Sequence, residues 1–228
     1  MKSKIGKIVS YYLFPKACVA CDKALDIMSE SFLCEDCNEL FVPNIIRRKL
    51  SNGVKCISYC KYGGVSRDSV INLKFHRQGD AAKLFGDKLT LLYDVTEHNA
   101  KKENSIVIPI PISRRRMAKR GYNQSELIAK RFTENTGIRI VTDAVKKVKH
   151  NEAQSLTSDV SERQSNVKGA YKLIKPDLIN GRDVVVIDDV ITTGSTMKEF
   201  TDLLLPYAKS VYCLTVASAE LDKDDDTI

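Results

Sequence analysis

The sequence predicts an α/β fold: a mostly parallel sheet flanked by helices, with a small cysteine-rich segment in front of it. Three observations predict this. Short β-branched runs such as Val184–Ile187 are the pattern of strands buried on both faces. Such runs alternate with stretches of helical periodicity, as they do in βαβ units. Six of the seven cysteines lie in the first 60 residues, four of them as two CxxC pairs. The 228 residues suffice for one α/β domain with an appendage. The expected division is an N-terminal helix and cysteine segment over 1–50, the α/β domain over 51–220, and a disordered acidic tail over 221–228.

Taken in order, Ile5, Ile8, Val9, Tyr12 and Leu13 share one helix face. Gly6 and Lys7 break that stretch as a signal peptide, and no run of about 18 apolar residues follows. A cytoplasmic protein with no membrane insertion is expected. NIIRRKLSNG reads as a linker. Val54 to Tyr62 reads as a strand ended by Gly63-Gly64, and helices are expected over Ser66–Phe75 and Ala81–Val95. SIVIPIP, from Ser105 to Pro111, is a buried strand. Asn123 and Glu126 have capping-box spacing for a helix that runs to about Glu134. IRIV, AVKKVK and AYKLI are short strands, and polar Asn151–Asn166 is a loop or a weak helix. Val184–Ile187 is a strand, Ser195–Leu205 a helix and Ser210–Val216 a last strand.

Cys18-x2-Cys21 and Cys34-x2-Cys37 are separated by 12 residues. Each short loop aims two thiolates at one point, and two loops complete the tetrahedral S4 shell that Zn²⁺ prefers. A closed shell makes the zinc structural, helping a segment with little core of its own to fold. Disulfides are the alternative, disfavoured by the cytoplasmic reading. Cys56 and Cys60, four apart on a strand, read as buried small side chains; exchange of one into the zinc shell stays open.

Charge is concentrated. Lys101 to His150 holds 13 Lys and Arg against 4 Asp and Glu, a local net of +9 that leaves −2 for the rest of the chain. An anionic partner follows, whether a small-molecule phosphate or nucleic acid. The stretch VVVIDDVITTGST, Val184 to Thr196, shows where such a ligand would bind. Two aspartates stand where a parallel strand ends, the edge at which open α/β sheets bind ligands. Ionised carboxylates only accept hydrogen bonds, so Asp188 and Asp189 suit the vicinal hydroxyls of a ribose. Thr192, Thr193, Gly194, Ser195 and Thr196 then lead into a helix, whose free N–H groups and dipole favour a phosphate. A plain strand–turn–helix explains the hydroxyls but not the acidic pair. No GxxxxGK[ST] occurs, so ATPase activity is not supported.

Residues 183–196 resemble the phosphoribosyl-pyrophosphate (PRPP) motif of type I phosphoribosyltransferases. Together with the CxxC pairs and VIPIPISRRRMAKRGYNQSELIAK, they resemble the ComF family associated with competence and DNA uptake. The resemblance runs from about Leu13 to Ala217, and Arg120–Ala129 narrows it to ComF. It implies a type I phosphoribosyltransferase-like sheet with Asp188 and Asp189 at the ribose hydroxyls, Thr192–Thr196 at the 5′-phosphate, and Val190 among the PRPP-binding residues. Ile112 to Arg116, with Ser113, Arg114 and Arg115, would stand at a magnesium pyrophosphate, joined by Arg116 and Arg120. Arg163 and Asn166 would belong to a mobile loop over the site. Asp188, Asp189, Arg114 and Arg120 are the expected catalytic set, with structural Zn²⁺ and PRPP-borne Mg²⁺ as cofactors.

Phosphoribosyl transfer passes through an oxocarbenium-like state, so positioning, cationic charge on the leaving group and exclusion of water carry catalysis. No acceptor pocket is legible, and no N-terminal cysteine supports glutamine amidotransfer. A binding protein on the same scaffold is the second expectation, with the +9 segment on the phosphates of single-stranded DNA and tyrosines for stacking. DNA-uptake helicase machinery is a further partner that the resemblance implies. No helix-turn-helix signal supports a transcriptional regulator.

Overall fold

A computed structural model describes residues 16–26, 28–75, 78–96, 102–148 and 169–219. After the cysteine segment and helix α1 (Glu35–Leu40), the chain enters strand β1 (Ile46–Lys49) and strand β2 (Lys55–Lys61). Helices α2 (Gly64–Phe75) and α3 (Gln78–Val95) lead to β3 (Ser105–Pro109), α4 (Arg114–Arg120), α5 (Gln124–Thr136) and β4 (Arg139–Ile140). Strands β5 (Val145–Lys147) and β6 (Tyr171–Leu173) precede β7 (Asp183–Ile191), α6 (Ser195–Leu204) and β8 (Ser210–Ser218).

The main sheet has six strands in the order β1-β2-β8-β7-β3-β4, and β5 and β6 form a separate antiparallel pair. All neighbours in the main sheet run parallel except β1, which pairs antiparallel with β2. Placing β7 centrally buries it on both faces, as its β-branched run requires. Val185 and Ile187 face a core built with Leu73, Phe85, Tyr93 and Phe132, whereas Val184 and Val186 face Met197, Phe200 and Leu204. Helices α2, α3 and α5 therefore cover one side and α6 the other.

Gly86 marks the crossing of α3 and α5. A Cβ there would lie 2.5 Å from Arg131 Cβ and 3.0 Å from the Ile128 carbonyl oxygen, so no larger residue fits without moving one helix.

Three expectations need correction. NIIRRKLSNG is not a linker: Ile46–Lys49 is the edge strand, because Leu50 N–H donates to Val54 O (2.9 Å) and closes a tight turn onto β2. The stretch Ile112–Arg116, expected as the loop that follows SIVIPIP, runs into a helix: Ser113 caps α4 by accepting from Arg116 N–H, and all three arginines lie on the helix. Asn123 occupies the N-cap of α5 but its side chain makes no capping bond. Its Nδ2 donates instead to Ile110 O (3.0 Å), pinning α5 to the end of β3. The N-terminal helix, the polar 151–166 stretch and the acidic tail fall outside the described residues.

Candidate functional site

At the cysteine segment, the sulfurs of Cys18, Cys21, Cys34 and Cys37 all lie within 4.8 Å of one another. A tetrahedral Zn–S shell of about 2.3 Å bonds needs sulfurs about 3.8 Å apart. Cys21 and Cys34 are 3.7 Å apart, so the donor set fits a metal ion of that kind. Burial raises the Cys18 thiol, but backbone N–H groups of Cys21, Cys34 and Ala20 more than offset it and hold it down at about 7. Cys56 and Cys60 are not in this group; both are buried in β2, where Cys60 contacts Val216 O at 3.4 Å. Burial pushes Cys60 up to about 11, as fits a packed thiol. The segment docks through Asn72 of α2, whose Nδ2 donates to Val19 O (2.8 Å) and Ala20 O (3.4 Å).

Strand β7 continues through the acidic pair to Ile191, so Asp188 and Asp189 point to opposite faces. Their proximity in sequence is thereby relieved in space. Asp189, 6% exposed, faces the side covered by α2, α3 and α5, where Lys74 of α2 comes within 2.9 Å of its Oδ2. Val190 N–H donates to its Oδ1 (2.8 Å). Asp188 keeps part of its surface open to the pocket. Ser125 Oγ donates to its Oδ1 (2.7 Å), as does Asp189 N–H (2.9 Å). Burial, and then the Asp189 charge, push Asp188 up to about 7.

The turn beyond β7 needs glycine: Gly194 has φ +83°, and a Cβ there would sit 3.1 Å from Leu50 Cδ2. Arg48 of the edge strand fastens the same turn, donating from Nη1 to Thr192 O (2.6 Å) and Ser218 Oγ (3.2 Å). Thr193 and Ser195 hydroxyls lie 2.9 Å apart at the start of α6. Lys198 N–H is the first to find a helical carbonyl, that of Gly194. Ser195 N–H reaches the Thr193 hydroxyl at 3.4 Å, and the N–H groups of Thr196 and Met197 stand at a positive helix end.

A cavity of about 270 Å³ joins these parts. Of the residues expected at a ligand, Asp188, Asp189, Val190, Thr192, Gly194, Thr196 and Arg120 line it; Thr193 stands in the adjoining turn and Ser195 opens α6. Ser113 and Arg114 line a neighbouring cavity of about 730 Å³, and Arg115 lines neither. Arg163 and Asn166 lie outside the described residues. Arg116 and Arg120 are the arginines that reach the smaller cavity, where the Arg120 guanidinium stands 5.5 Å from the centre of the Phe75 ring.

Sequence reasoning missed Lys74, Gln124, Ser125, Lys147 and Tyr171, all of which line the cavity. Lys147 donates to the Tyr171 hydroxyl (3.1 Å), and its burial and the nearby Arg116 lower its affinity for a proton. A signal existed for the triplet Asn123-Gln124-Ser125, where three consecutive polar residues open a helix with no exposed-face periodicity. None existed for Lys74.

A parallel sheet with an acidic pair on its central strand, followed by a glycine turn into a helix, is the architecture of phosphoribosyltransferase domains. A family model described as phosphoribosyl transferase domain matches residues 91–227, and the chain belongs to that family. Competence protein F of Haemophilus influenzae is 37% identical over 99 residues, 43% of each chain. DNA utilization protein YhgH of Escherichia coli (strain K12) is 32% identical over 150 residues, 62% of this chain and 63% of that one. Competence protein ComFC of Bacillus subtilis is 22% identical over 216 residues, covering 92% and 78%. These relatives place the chain in the ComF group of phosphoribosyltransferase-like proteins. The matches to the first two span less than two thirds of those relatives' own length. Among solved structures, the glutamine PRPP amidotransferase from B. subtilis is similar at 15% identity and TM-score 0.42, over 64% of this chain and 30% of that one. Among the described residues, no helix is long and apolar enough to cross a membrane.

Proposed function

We propose that the chain binds PRPP, or a related ribose 5-phosphate, together with Mg²⁺, and serves DNA uptake as its competence-named relatives suggest. The observation that carries this reading is the union, in one cavity, of the open Asp188 carboxylate, the Gly194 turn at the α6 N-terminus, and Arg116 and Arg120. Asp188 accepts from a sugar hydroxyl, the turn and first N–H groups of α6 hold the 5′-phosphate, and the two arginines neutralise a pyrophosphate. Mg²⁺ arrives with the pyrophosphate. Asp189, through Lys74, fixes the cation beside the sugar. Ser113 caps the helix that carries Arg114 and Arg115, and these two arginines add positive charge beside the cavity without lining it. A Zn²⁺ held by Cys18, Cys21, Cys34 and Cys37 is structural in this reading.

Transfer to an acceptor is the activity this site is equipped for, and the acceptor is the unassigned half of the reaction. Calorimetric titration of PRPP with Mg²⁺ tests the binding half. Micromolar affinity is expected for the native chain, with at least about tenfold loss in Asp188→Asn. Absence of binding by folded, metal-loaded protein overturns the reading. Salt-dependent capture of single-stranded DNA is then the activity left, favoured by the net +9 of residues 101–150.

A further inference from the structure

The helix α5 begins with three buried polar side chains in succession: Asn123, Gln124 and Ser125 are 6%, 6% and 2% exposed. Surface helices do not begin this way, because each buried polar group needs a partner or costs stability. Two of the three have tasks already described. Asn123 gives up its capping bond to hold Ile110 O, and Ser125 orients Asp188. Gln124 lines the 270 Å³ cavity and its Oε1 has no hydrogen-bond partner. An acceptor left unsatisfied at the wall of a ligand cavity calls for a donor from the ligand.

The acidic pair sharpens the requirement. A vicinal diol offers two donors, and two open carboxylates would meet them. Only one carboxylate is open. Asp189 is tied to Lys74 at 2.9 Å and to Val190 N–H, while Asp188 faces the cavity with Ser125 on its Oδ1. Among the described residues of the wall, the buried side-chain acceptors without a hydrogen bond are Gln124 Oε1 and Asp189 Oδ2, and the second already stands in the ion pair with Lys74. Gln124 Oε1 is buried in the wall, and the terminal amide torsion of this side chain is broad, so the amide can turn toward the cavity without disturbing the helix.

We propose that Gln124 contacts the sugar directly, accepting a hydrogen bond from one ribose hydroxyl while Asp188 accepts from the other. This rests on the ribose 5-phosphate reading above and assigns within it the residue that separates ribose from deoxyribose ligands. Asp189 acts at one remove, through Lys74.

The test is calorimetric titration of the full chain with ribose 5-phosphate and with its 2-deoxy and 3-deoxy analogues. The native chain discriminates against each analogue by roughly fivefold, the worth of one neutral hydrogen bond. Gln124→Met, which keeps the length and removes the acceptor, binds one of the two analogues as well as ribose 5-phosphate and still rejects the other. Preservation of both native ratios in Gln124→Met overturns the proposal. Failure of the native chain to bind ribose 5-phosphate overturns the underlying reading as well, and is seen before any variant is made. Should Gln124→Met not fold, the side-chain amide resonance of Gln124 in the native chain gives the answer. It shifts with ribose 5-phosphate and loses that shift with one analogue; a resonance that ignores all three ligands overturns the contact.

Discussion

At the scale of single residues, Asp188 and Asp189 differ in what surrounds them, and the difference is measurable. Asp188 is raised from 3.8 to about 7 by burial and by Asp189. Between those values the folded chain keeps a proton that the unfolded chain has released. Stability therefore falls as pH rises through this window and levels off above about pH 7. Asp188→Asn abolishes that slope and at pH 8 raises Tm by a few degrees, about 1 kcal/mol or more. Thermal melts of both proteins from pH 5 to 8 check it, and parallel curves would refute the assignment. Asp189 behaves in the opposite way on substitution of its partner. Lys74→Met leaves a buried carboxylate unpaired and costs about 2 kcal/mol, less than a fully buried pair because Lys74 is a quarter exposed. Adding Asp189→Asn recovers much of that loss in a denaturant double-mutant cycle.

Elements show how far the sequence could be read. The strand–turn–helix from Asp183 to Leu204 was legible because β-branched burial, a glycine at positive φ and helical spacing are all local signals. Helices α2, α3 and α5 were legible for the same reason, to within a few residues. The edge strand Ile46–Lys49 was not, because Arg, Arg and Lys carry no period-2 hydrophobic pattern and only pairing with β2 makes them a strand. Lys74 escaped notice because its partner lies 115 positions away in sequence, a distance no local pattern spans. Two glycines separate fold from site at this scale. Gly86→Ala forces α3 and α5 apart and costs about 1–3 kcal/mol, leaving ligand affinity of the folded fraction unchanged. Gly194→Ala costs about 1 kcal/mol through its φ of +83° and also displaces the phosphate turn, so ligand affinity falls with it. Denaturation curves paired with titrations distinguish the two.

For the molecule as a whole, the cysteine segment is part of the core rather than an attachment. Val19, Leu25, Leu33, Cys37 and Phe41 belong to the same buried cluster as Leu73, Phe85 and Ile187, and Phe41 packs 5.6 Å from the Tyr59 ring. Removing the metal with a strong chelator should therefore lower a single cooperative transition rather than release a separate one. Native mass spectrometry should find one zinc per chain before treatment and none after. Two resolved transitions in calorimetry would show instead that the segment unfolds by itself.

Helix α2 carries Asn72, which grips the backbone of the cysteine loop, and two positions later Lys74, which grips Asp189. Anyone trimming this protein for crystallisation or assay faces a consequence of that spacing. A shortened version starting at residue 51 deletes the partners of Asn72 and the Arg48 clamp on Thr192 at one stroke. Such a fragment can keep every motif by which the site is recognised and still be a poor reagent for studying it.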